Sequence, residues 1–95
     1  MGQPERKELG DLQAVTSELQ EQEEERRKLR RLQIMMSMVM SVISQDAGMS
    51  VEEASELAAN AKRAALALFP DKEFAYDILY KPRLQRLMAE RFHLQ

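Results

Sequence analysis

The chain has 95 residues, enough for one domain with an appended arm, and carries 14 basic against 16 acidic residues. The formal net charge of −2 gives no overall bias toward a polyanionic partner, and 44% apolar residues exclude a disordered composition. With no Cys and a single His, His93, disulfides, thiolate nucleophiles, iron–sulfur clusters and thiolate zinc sites are excluded together.

Three Gly and three Pro are the only strong breakers, and no alternating strand pattern runs for a useful length. The pattern predicts an all-α chain: a long N-terminal helix followed by three shorter ones in a small bundle. The first helix is predicted from just after Pro4 to about Asp46, roughly 60 Å at 1.5 Å per residue. Gly48 is expected to close it in the left-handed conformation.

This first helix has three zones. Leu9, Leu12, Thr16 and Leu19 recur at 3-4-3 spacing. A charged zone follows, in which an acidic block (Glu21, Glu23, Glu24, Glu25) precedes a basic one (Arg26, Arg27, Lys28, Arg30, Arg31). Glu23–Arg27 and Glu24–Lys28 stand at i,i+4 in the favourable order. In the third zone Leu29, Leu32, Met36, Val39 and Ile43 recur at 3-4-3-4. The ten residues from Leu19 to Leu29 displace this stripe by roughly 80° on a straight helix, so a break between two seams is expected. Residues 1–28 are therefore expected to form a charged, coiled-coil-like arm, and residues 29–95 the bundle.

Between Leu32 and Ser44 the polar residues Gln33, Ser37, Ser41 and Ser44 share one helical face. Apolar side chains cover most of the remaining circumference, which predicts burial on at least two sides. The fold-back of residues 49–95 supplies one cover, and a second copy of the chain is expected to supply another. The expected protein interface is Leu29, Leu32, Met35, Met36, Val39, Met40 and Ile43. The methionines suit either a core or an adaptable binding surface.

Ser50 and Glu53 form a capping box for a second helix that stops before Pro70. Val51, Ala54, Leu57, Ala58, Ala61, Ala64, Ala65 and Leu68 share one face, opposite Glu52, Glu53, Glu56, Asn60 and Arg63. Five of the eight face residues are Ala, so a neighbouring helix can approach closely. Asp71 is expected to cap a third helix through Phe74, Ala75, Ile78 and Leu79. Pro82 either kinks that helix or opens a fourth carrying Leu84, Leu87, Met88 and Phe92.

No catalytic residue, metal ligand set or cofactor motif is predicted. His93 sits near the C-terminus beside apolar neighbours, and the isolated glycines build no phosphate loop. The uncharged stretch from Leu32 to Gln45 falls short of the roughly 20 apolar residues that span a bilayer, so a cytoplasmic protein without membrane contact is expected. The functional expectation is a non-enzymatic interaction or scaffolding module. Its expected partner is itself, as a homodimer, or another protein, and no small-molecule substrate is foreseen. The alternative is a small nucleic-acid-binding regulator using Lys81, Arg83 and Arg86 on phosphates or base edges.

Overall fold

The computed structural model describes residues 4–93, with side-chain exposure from residue 10 onward. Four helices follow one another: α1 (Pro4–Gln45), α2 (Val51–Leu68), α3 (Glu73–Leu79) and α4 (Lys81–Phe92). No strand occurs among the described residues. The chain divides into two compact units, Met1–Arg30 and Arg31–Gln95.

The first unit is helical from Pro4 onward, and every side chain described in it, from Gly10 to Arg30, is exposed. Thr16 donates its hydroxyl to the Leu12 carbonyl at 2.8 Å. Arg26 pairs with Glu23 at 3.2 Å in the charged zone. Such an exposed i,i+3 pair contributes only a few tenths of a kcal/mol. The side chain of Leu9 lies outside the described residues.

The second unit carries the core. Leu32, Met36, Val39 and Ile43 of α1 are buried with Ala54, Ala61 and Ala65 of α2, Tyr76 of α3 and Leu84 of α4. Alanine at three buried positions of α2 lets backbones come close, and Cα atoms of α2 lie within 8 Å of those of α3 and α4. The larger α1 side chains meet the other helices at their tips: the Tyr76 hydroxyl donates to the Met36 sulfur at 4.0 Å. Arg91 of α4 donates to the Asp46 carbonyl at 2.9 Å, a cation at the C-terminal end of α1 where the helix dipole favours it.

The helix ends show which local signals decided. Gly48 has no positive φ, so the left-handed closure expected of it does not form. Instead the Asp46 carboxylate accepts from the Gly48 N–H at 3.0 Å, a side-chain turn that ends α1 without a left-handed residue. Ser50 caps α2, its hydroxyl accepting from the Glu53 N–H at 3.1 Å and donating to the Glu53 carboxylate at 3.2 Å. Asp71 does not cap α3; Lys72 occupies that position with no side-chain bond. Pro82 falls in the first turn of α4, where a missing N–H costs nothing. Its ring separates α4 from α3 at the single residue Tyr80. His93 ends α4 at φ 56 and ψ 40, and its N–H donates to the Ala89 carbonyl.

Within one chain α1 is buried on one side only. Leu32, Met36, Val39 and Ile43 point into the core, and Met35 and Met40 are half-buried. Ile34, Met38 and Val42 are left 53%, 63% and 41% exposed. The burial on two sides expected from composition is thus not supplied by the chain itself, because α2 to α4 reach only one face.

Candidate functional site

Phe74, Ile78 and Leu79 of α3 stand exposed, and two further surfaces involve α1. The first is apolar. Ile34, Met38 and Val42 recur every four residues along α1, so they form one row. Part of that row lines a shallow apolar depression of about 350 Å³ with Met35, Val39 and Arg31. The exposed large apolar residues of the first unit form a separate row: Leu12, Val15, Leu19 and Leu29. Their steps are 3, 4 and 10. A step of ten is one heptad plus three, so all four fit one a/d seam, with Gln22 and Arg26 at the two intervening seam positions. The interval between Leu19 and Leu29, where a break is expected, is continuous helix with exposed side chains. Val15, which fills the seam position that Thr16 adjoins, reveals the register.

The expected interface residues sit in three different environments. Leu32, Met36, Val39 and Ile43 are used up by the intrachain core, with Met36 and Ile43 fully buried. Met35 and Met40 flank that core half-buried, and Leu29 is exposed in the first unit. The 3-4 pattern found the side of α1 that faces α2 to α4. Its open side is at Ile34, Met38 and Val42.

The second surface is a polar groove of about 600 Å³ between α1 and α4. One wall is the polar row of α1: Gln33, Ser37, Ser41 and Ser44. The other is Arg83, Arg86 and Glu90 of α4, over a floor that includes Met36, Met40 and Leu87. Tyr80 stands at the start of α4 with its ring centroid 5.7 Å from that of Tyr76. The Arg83 guanidinium lies 5.9 Å from the Tyr80 ring centroid, at the outer edge of cation–π range.

The basic residues part company here. Arg83 and Arg86 line the groove while Lys81 does not, so the three do not converge on one surface. Only Tyr80 separates α3 from α4, so the three- or four-residue turn of a helix-turn-helix is absent. Lys62 is engaged elsewhere, bridging α2 to α3 through Glu73 at 3.1 Å and Asp77 at 3.0 Å. Hydrogen bonds to those two carboxylates raise the Lys62 ammonium above its ordinary value. Burial raises the Tyr76 phenol as well.

Among the described residues no group of three or more His, Asp or Glu is placed to hold a metal ion. No described helix is long and apolar enough to cross a membrane. No family model, curated protein or solved structure matches the chain.

Proposed function

We propose that the chain is a non-enzymatic helical interaction module that self-associates through α1. One observation carries this reading: every described side chain from Gly10 to Arg31 is exposed, including Leu12, Val15, Leu19 and Leu29 on one heptad seam. A single helix draws most of its stability from packing an apolar face, and among the described residues of the first unit, Gly10 to Arg30, this face packs against nothing. The natural occupant of a heptad seam is another heptad helix. Among the described residues the apolar face of α2 already feeds the core, and α3 and α4 have only 7 and 12 residues. A second copy of α1 supplies the missing surface. Gln22 and Arg26 on the seam lower its strength and restrict its register, as polar residues at core positions do. The open row at Ile34, Met38 and Val42 adds apolar area in the second unit.

The test is the concentration dependence of helicity. Far-UV circular dichroism of the full chain should gain helical signal between about 2 and 100 μM. Leu19→Glu should abolish that gain and leave the second unit folded. Helicity independent of concentration in both proteins would refute self-association through the arm. Helicity that rises equally in both would place the contact away from the seam.

A further inference from the structure

The polar groove has a chemistry that the interaction reading does not use. Among the described residues neither Arg83 nor Arg86 has a carboxylate within 4.0 Å. They stand three residues apart on α4 and both line the groove, and the Arg83 guanidinium lies over the Tyr80 ring at 5.9 Å from its centroid. Across the groove the Ser44 hydroxyl donates to the Ser41 carbonyl at 3.1 Å. The hydroxyls of Ser37 and Ser41 make no hydrogen bond to another described residue. Donors thus face each other from two helices with one acid, Glu90, among them.

One contact ties the two walls together: Arg91, near the end of α4, donates to the Asp46 carbonyl at the end of α1 at 2.9 Å.

We propose that this groove binds a small organic phosphate monoester. A carboxylate has two oxygens in one plane and is satisfied by a single guanidinium. A phosphate monoester presents three acceptor oxygens in different directions and suits donors on two walls, two guanidinia on one side and hydroxyls on the other. The organic part lies on the floor of Met40 and Leu87. The groove volume is in the range of small-ligand sites. Neither wall signals a ligand in the chain itself, because the two lie at least 39 residues apart.

The experiment is titration of the full chain with phenyl phosphate, followed by calorimetry and by amide NMR shifts. Phenyl phosphate should bind and move the amides of residues 37–41 and 83–87. Arg83→Gln and Arg86→Gln should each weaken binding at least tenfold, and Ser41→Ala a few-fold. Lys81→Gln, outside the groove, should leave it unchanged. Circular dichroism of each variant confirms that the fold is retained. Absence of binding at 10 mM, equal weakening by Lys81→Gln, or equally tight binding of benzoate would each overturn the assignment. The readout does not depend on oligomeric state, so failure of self-association leaves it standing.

Discussion

Met36 and Met38 are two residues apart on the same helix and sit in opposite environments, which makes them a direct test of how α1 is oriented. Met36 is fully buried and in contact with the Tyr76 hydroxyl, whereas Met38 is 63% exposed. Truncating a buried methionine to alanine removes transfer energy and leaves a cavity, at a cost of about 2–5 kcal/mol. The unit from Arg31 to Gln95 has 65 residues, for which total stability is on the order of 3–10 kcal/mol. Met36→Ala therefore removes a large share of it and should lower the melting temperature by at least about 10 °C. Met38→Ala should stay within about 0.5 kcal/mol of the parent protein. Met36→Asp, which places an unpaired carboxylate in the same site, should leave the unit unfolded. Urea unfolding followed by circular dichroism, at a concentration low enough to keep the chain monomeric, measures all three. Equal losses for Met36→Ala and Met38→Ala, or a folded Met36→Asp, would show that α1 is turned the wrong way.

Smaller perturbations test the helix ends and the ion pairs. Ser50→Ala removes the acceptor for the Glu53 N–H and should cost about 1 kcal/mol in the same urea titration. His93→Gly relieves a left-handed residue at the end of α4 and should raise stability by roughly 0.5–1 kcal/mol; a loss would mean that the His93 side chain makes a stabilising contact. Lys62 and Tyr76 are both shifted upward, so the folded state holds their protons more tightly than the unfolded chain. Their contribution is complete below about pH 10 and is lost as pH rises through the higher folded-state values. Thermal melts should therefore be insensitive to these two groups from pH 8 to 9.5 and fall above about pH 10. Lys62→Met should flatten that fall, and an unchanged alkaline limb would remove Lys62 from the account.

Features set by neighbouring residues were readable directly from the chain. The Ser50 cap and the inward and outward faces of α2 depend on contacts within one or two turns, whereas the chain leaves Pro82 open between kinking α3 and starting α4, and the structure shows the start. The ends of α1 were legible too, although the agent of its closure was not: Asp46 offers its carboxylate to the Gly48 N–H, and that local bond outcompeted the glycine's left-handed option. In α3 the register was hidden because Tyr76 turns inward while Phe74, Ile78 and Leu79 stay exposed. The carboxylates of Glu73 and Asp77 on the same helix pair with Lys62. The open side of α1 was equally hidden, because a helix apolar over most of its circumference gives no periodic signal for which arc its partners take. The groove could not be read at all. Its serine row and its arginines were each visible as separate features, and only the placement of α4 beside α1 brings them into one groove.

The central claim is that the exposed heptad seam of α1 is covered by a second copy of the chain. Sedimentation velocity of the full chain at tens of micromolar tests it most directly. A dimer of twice the 11.0 kDa chain mass, converted to monomer by Leu12→Glu with Leu19→Glu, is the result predicted. A parent protein that sediments as a monomer across that range would contradict it.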